Sequence, residues 1–334
     1  MLLRLQKYSI YYYCVASFVA RGFFRERRKT TMTDLICAGL TTLDILVRPV
    51  DALPDAQQPT LVEEIALAPA GTASGTAMVA ATLGLEAAVI SAVGKDVNGD
   101  ITLSLLEKTG VDCTHIERLD ELPTSTSVLT IRSDGERPVF HMLGASILTS
   151  LSTQAVEAAK QSRFFHFGGV GFPNLSTAEA IAAIADIRAS GTFTSCDIIA
   201  PQPETLDVLR PLLRNIDCFM PSEAEVHVLL GETSPEDALK TFVGMGARAC
   251  IIKRGDKGSI GFYENEIVEV PAKKITPVDT TSCGDSYCAG FIDGLSRGLS
   301  FREAMIAATE TAAQVAQGAG TLGALKKRDR SNER

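Results

Sequence analysis

The stretch DTTSCGDSYCAGF, Asp279 to Phe291, gathers the residues best suited to chemistry. Two threonines, a serine and a glycine lead into Asp285. Behind it Tyr287, Cys288, Phe291, Ile292 and Leu295 recur at helical spacing. Asp279 to Gly284 therefore reads as a loop feeding a helix N-terminus, where the first N–H groups lack intrahelical partners and carry partial positive charge. The small residues Ser282 and Gly284 let an anion approach that backbone closely. Asp285 falls in the first turn, where the same field favours its ionised form. A carboxylate beside an anion pocket can take a proton from a hydroxyl while the pocket stabilises phosphoryl charge. In isolation the stretch is equally well a helix start with an acid in its first turn and small residues for packing.

The elements that must position this loop alternate along the chain. Residues 34–40, 87–94, 163–169, 192–197, 217–221 and 249–255 are short apolar runs that read as buried strands. Helix-like stretches at 73–85, 175–191 and 234–247 separate them. This order predicts an α/β fold, a doubly wound, mostly parallel sheet with helices on both faces. Two regions, about 45–67 and 124–142, carry strand patterns without helices between them, with an Asp134-Gly135 turn inside the second. They predict a small β-sheet lid over the C-terminal ends of the main strands, where open α/β sheets bind ligands.

Composition bounds the functions. The chain has 334 residues, 46% hydrophobic and 22% charged, with a formal net charge of -8. An acidic balance argues against bulk nucleic-acid binding, while leaving room for anionic substrates held by local N–H groups. Eight cysteines show no C-x-x-C pair, and four histidines show no metal-ligand spacing. Cys37, Cys196, Cys218 and Cys250 lie inside apolar runs, so reduced thiols in a cytoplasmic protein are expected. Residues 1–31 are strongly basic, and the apolar run Ser9 to Ala20 is too short to span a bilayer. They are expected to be an upstream translation start or a disordered extension, with the domain proper over 32–326 and a charged tail at 327–334.

The Asp279–Asp285 motif closely resembles the D-T-T-G-A-G-D signature of the ribokinase-like (PfkB) carbohydrate kinases. Further motifs follow in the family's order over roughly residues 34–323. They are GLTTLD (39–44), AGTASGTA (70–77), GKDVNG (94–99), GAS (144–146), SEAE (222–225) and KRGDKG (253–258). The resemblance implies a ribokinase-like fold and an ATP-dependent kinase that phosphorylates a hydroxymethyl group of a sugar or sugar-like alcohol. It implies Asp285 as general base, with Ser282, Cys283 and Gly284 forming the anion hole. Asp44, Gly71, Thr72 and Gly75 are implied at the phosphoryl acceptor. Ser222, Glu225, Lys253 and Gly255 are implied near the nucleotide, Glu225 also supporting Mg2+ through water. Asp279 and Thr281 become candidates for a monovalent-cation site, K+ being the expected ion. A homodimer through the lid is a further expectation; no membrane or nucleic-acid partner is expected.

The sequence departs from the family's pattern at defined points. Gly75 stands where the family has a sugar-binding Asn, so the acceptor's identity is open. Restoring Asn at 75 is expected to shift preference toward simple sugars with the fold intact. Ser222 replaces the Asn of N-x-x-E, and Ser282 and Cys283 replace Gly and Ala. A nucleoside or vitamin-alcohol kinase of the same fold is the alternative, and a non-catalytic ligand-binding relative is a third reading. A dinucleotide oxidoreductase is set aside, because no G-x-G-x-x-G follows the first strand.

Overall fold

The computed structural model describes residues 33–54 and 57–328. The expectation about residues 1–31 lies outside them. The first strand, β1 (Leu35–Ala38), is buried at every residue, so it has no solvent face. Its side chains alternate between two cores. Leu35 and Cys37 enter one, Ile36 and Ala38 the other. A strand buried on both faces reads as a continuous apolar run, which is why these strands are visible in the sequence.

Around β1 the other strands assemble in chain order: β2 (Thr42–Arg48), β3 (Glu64–Ala70), β4 (Ala87–Gly94), β5 (Asp112–Leu119), β6 (Thr126–Thr130), β7 (Val139–Met142), β8 (Phe164–Phe167), β9 (Phe193–Cys196), β10 (Cys218–Phe219), β11 (Ala249–Lys253), β12 (Ser259–Tyr263) and β13 (Glu266–Val270). Among the described residues nine of them form one sheet in the order β13-β12-β11-β10-β9-β8-β1-β4-β5. The pairs from β11 through to β5 are parallel, and β12 and β13 close one edge as an antiparallel hairpin.

Helices cover both faces. One core holds α1 (Ser74–Thr82), α8 (Cys283–Ser296) and α9 (Phe301–Val315), through Ala77, Met78, Phe291 and Ala308. The opposite core is filled from α4 (Ala178–Ala189), α5 (Thr205–Leu212), α6 (Glu223–Leu230) and α7 (Pro235–Gly244), through Ile184, Leu209, Val226 and Phe242. The two remaining helices, α2 (Val97–Thr109) and α3 (Thr153–Gln161), begin at Asp96 and Ser152, whose side chains accept from Gly99 N and Ala155 N. Such caps satisfy N–H groups that the helix itself cannot.

The lid is a second sheet in the order β3-β2-β6-β7. Its β2–β6 pair is parallel and its outer pairs are antiparallel. Its inner face is a small core of Leu46, Leu129 and Ile131 with Ala66 and Ala68. The GKDVNG motif anchors it. Asp96 accepts from Thr124 N (2.8 Å) and Thr124 Oγ1 (2.6 Å), just ahead of β6. A side chain on Gly94 would meet Thr124 N at 2.6 Å, so that crossing requires glycine. At the other end of the chain Arg328, assigned by the sequence to the charged tail, is held at 2.8 Å by the buried Asp293, which Arg297 also meets.

Candidate active site

The loop before α8 has the form that the sequence predicts. Ser282 is its N-cap, without a side-chain cap, at φ +55° and ψ +13°. A non-glycine residue in that left-handed region carries strain of about 1–2 kcal/mol, and such strain gathers at functional sites. The N–H groups of Ser282, Gly284 and Asp285 have no hydrogen-bond partner among the described residues; that of Cys283 reaches Thr280 O at 3.4 Å. The loop is fixed from below by Asp279, which is buried and accepts from Thr281 N at 2.8 Å and Gly320 N at 2.9 Å.

Asp285 stands beside these N–H groups. The helix field alone would keep it ionised at low pH, yet burial raises its pKa to about 7, and the nearby Asp197 and Asp44 carboxylates push the same way. The Lys253 ammonium and a hydrogen bond from Ser282 oppose them. A carboxylate that titrates near neutrality is suited to general-base work.

The other predicted residues divide. Asp44, on β2, is buried, accepts from Thr42 Oγ1 at 3.2 Å and hydrogen-bonds Ser127. Burial raises its pKa too, and it lies close enough to interact with Asp285. Gly75 lies directly against Asp285: a Cβ there would meet Oδ2 at 2.7 Å. Position 75 is thus bare because the Asp285 side chain occupies the space, and an Asn at this site would strike Asp285. Gly71 allows a close crossing at φ +99°, where a Cβ would lie 2.6 Å from Leu40 O. The Thr72 side chain is engaged within the sheet. Its hydroxyl donates to Gly168 O at 2.7 Å and accepts from Leu40 N at 3.2 Å, which ties the ends of β1 and β8 together.

Of the residues expected near the nucleotide, Ser222 and Glu225 form a reciprocal capping box at the start of α6. Ser222 N donates to Glu225 Oε2 at 2.7 Å and Glu225 N to Ser222 Oγ at 3.3 Å. Ser222 therefore starts a helix, and Glu225 keeps its second oxygen for other work. Gly255, at φ +57°, turns the chain after Lys253. Lys253 itself ends β11 with its ammonium 2.5 Å from Asp197 Oδ2.

Two residues absent from the sequence-derived site stand in it. Asp197 follows β9, and only the parallel register that sets Cys196 against Phe219, and Phe219 against Cys250, brings it to Lys253. Arg137, in the turn before β7, reaches back from the lid to Thr280 Oγ1 (3.0 Å) and Thr281 Oγ1 (3.3 Å). Neither carries a local sequence signal.

Among the described residues no three His, Cys, Asp or Glu side chains converge to hold a metal by themselves. Three carboxylates, Asp197, Glu225 and Asp285, nonetheless act electrostatically on one ammonium, that of Lys253. This surplus of negative charge fits Mg2+ carried in on phosphate oxygens and water, the usual manner of magnesium binding.

A mostly parallel α/β sheet, a helix start with unpartnered N–H groups and an adjacent carboxylate are what a phosphotransferase-type site requires. The chain belongs to the pfkB family of carbohydrate kinases, whose model matches residues 32–328. It is 26% identical over 285 residues to a fructokinase of Vibrio alginolyticus, covering 83% of this chain and 91% of that one. It is 28% identical over 279 residues to a 2-dehydro-3-deoxygluconokinase of Bacillus subtilis, with 78% and 84% covered. An E. coli protein provisionally named ribokinase II, in complex with ATP and Mg2+, superposes with a TM-score of 0.75 at 25% identity, covering 87% of this chain and 95% of that one. The fold is that of the ribokinases, and the chain is a carbohydrate kinase; the non-catalytic reading falls. No helix among the described residues is long and apolar enough to cross a membrane.

Proposed function

We propose that this kinase transfers the γ-phosphoryl group of ATP to a hydroxymethyl group of a sugar or sugar-like alcohol. Asp285 is the general base and the N–H groups of residues 282–284 are the anion hole. The observation that carries this reading is the pairing of free N–H groups at the start of α8 with a carboxylate whose pKa burial raises to about 7. In the reaction Asp285 accepts the hydroxyl proton as the acceptor oxygen bonds to phosphorus. The anion hole takes the charge on the phosphoryl oxygens. Glu225 would hold Mg2+ through water beside the ATP phosphates, and the bound ion would supply charge neutralisation. Asp44 accepts a hydrogen bond from an acceptor hydroxyl, and the lid covers the site against water. Asp279, buried without an ion-pair partner among the described residues, supports a K+ site beneath the loop.

A nucleoside or vitamin-alcohol acceptor remains the second reading. Its support is that the chain is also 25% identical over 292 residues to a nucleoside kinase of Methanothermobacter thermautotrophicus, covering 86% of this chain and 91% of that one. The test is ATP turnover by the full chain against D-fructose, D-ribose, 2-dehydro-3-deoxygluconate, adenosine and cytidine. A preference for the first three supports the sugar reading, a preference for the last two supports the alternative, and no phosphorylation of any of them counts against both.

The lid's outer face supports a homodimer. Ile65, Leu67, Phe140 and Met142 are 68%, 45%, 61% and 46% exposed, and the strand register places them on one side. A second copy of the same face would cover them. Light scattering on Phe140→Lys should then show a monomer where the parent is a dimer. The described cysteines are free thiols, in keeping with a reducing cytoplasmic setting.

A further inference from the structure

We propose that Lys253 is a catalytic residue whose ammonium contacts the transferring phosphoryl group, with Asp197 as its positioning residue. The inference rests on the phosphotransfer reading above and assigns roles that this reading does not need. Lys253 ends β11 with its side chain only 12% exposed, and Asp197 beside it is 4% exposed. A buried ion pair of this kind is weak support for stability, since apolar side chains of similar volume would serve packing as well. Its location gives it another use. The ammonium lies 3.3 Å from the point where a Cβ on Gly284 would stand, so it sits against the backbone of the anion hole.

Asp197 holds it there. One carboxylate oxygen accepts from Ile198 N at 2.9 Å, and the other meets Lys253 Nζ at 2.5 Å and the Cys288 thiol at 3.5 Å. An ammonium has three donors. Among the described residues its hydrogen-bond partner is Asp197 alone, so two donors are left for oxygens arriving at Gly284. Burial works against the charged lysine, yet Asp197 and Glu225 outweigh it and hold the pKa above the usual lysine range. Lys253 therefore stays protonated throughout the reaction and acts as a fixed positive charge, not as an acid.

In the transfer the bond from phosphorus to the bridging oxygen of ADP breaks, and its electron pair leaves with ADP. The acceptor oxygen bonds to phosphorus and its proton passes to Asp285. Lys253 donates to a non-bridging oxygen of the moving group, opposite the backbone N–H groups. This arrangement places positive charge where the transition state spreads its negative charge.

The test uses the full chain as parent, Lys253→Met, Asp197→Asn and the double variant. Binding of Mg-AMP-PNP and Mg-ADP is measured by calorimetry, which needs no acceptor. Turnover uses whichever compound of the panel the parent phosphorylates. Loss of a charge-assisted contact should weaken AMP-PNP about 10-fold or more and leave ADP nearly unchanged. The kcat of Lys253→Met should fall about 10²-fold, in line with the removal of one transition-state donor. The pH–rate profile adds a sign. Asp285 faces Lys253, Asp197 and Asp44 from three strands or their ends, Cys37 from β1, and Cys283 and Cys288 on its own helix. Removing the lysine charge should move the rising limb to higher pH, and Asp197→Asn should move it to lower pH. Lys253→Met strands a buried carboxylate; if it fails to fold, the double variant, which removes both charges, carries the same measurements. Equal weakening of AMP-PNP and ADP, or a kcat within about threefold of the parent in a folded variant lacking Lys253, overturns the proposal. A parent that phosphorylates nothing refutes the phosphotransfer reading instead, and the AMP-PNP to ADP ratio still decides the role of Lys253.

Discussion

Replacing Gly75 by alanine adds a single methyl group, and the structure gives it a defined place to go. The new Cβ would lie 2.7 Å from Asp285 Oδ2, 3.1 Å from its Cγ and 3.2 Å from its Cβ. Carbon–oxygen contacts settle nearer 3.4 Å or beyond, so the carboxylate must retreat by roughly 1 Å. A displacement of that size at a reacting group costs about 10²-fold in rate. Stability should hardly change. Gly75 lies in the first turn of α1, where alanine gains up to about 1 kcal/mol in helix propensity, and this offsets part of the crowding. The assay is a coupled measurement of ADP release together with a thermal melt. The expected pattern is a melting temperature near that of the parent, an unchanged KM for ATP and a kcat reduced about 10²-fold. Gly75→Asn carries the same Cβ and should do no better on any acceptor, so the shift toward simple sugars read from the family's asparagine is not expected. Turnover of Gly75→Ala within about threefold of the parent would refute the idea that Asp285 works from the position it occupies here.

Other outcomes follow from the same geometry. Because the pKa of Asp285 is raised to about 7 and the base must be ionised, kcat/KM should rise with pH and level off above that value, losing about tenfold per unit below it. The raised value also means that the folded state binds this proton more tightly than the unfolded one. The stabilisation is present at about pH 4 and lost through about pH 7, so Asp285→Asn should gain stability relative to the parent mainly at about pH 8. Turnover should be higher in K+ than in Na+ or choline, and Asp279→Asn should abolish the difference; equal rates in all three salts would remove the cation site. Arg328→Ala removes one of the two arginines seen to meet the buried Asp293 and should cost about 1–2 kcal/mol in urea unfolding without changing kcat.

Much of the fold is legible in the sequence because burial on both faces leaves strands such as AAVISAVG as unbroken apolar runs, and β4 spans those eight residues. The loop and helix at Asp279–Ser296 are legible for a local reason: small residues, then an acid, then helical spacing. The edge hairpin is harder to see. Glu264 and Asn265 turn it with φ of +50° and +63°, and no glycine marks the place. Thr72 shows what a motif leaves out, since its hydroxyl is spent on Gly168 O and Leu40 N. The partnership of Lys253 with Asp197 spans 56 residues and depends on strand register, and the reach of Arg137 to Thr280 spans 143. Contacts of that kind have no signature along the chain until the sheet and lid are assembled.

The central claim is that Asp285 takes the acceptor's proton. The most direct measurement is single-turnover phosphoryl transfer by Asp285→Asn beside titration of Mg-AMP-PNP. Asparagine keeps the size of the side chain and can still begin α8, so nucleotide affinity should match the parent. It cannot accept the proton, and transfer should slow by about 10²–10⁴-fold. Transfer within a few-fold of the parent, with chemistry limiting the rate, would contradict the account and leave Asp285 as a residue that only starts a helix.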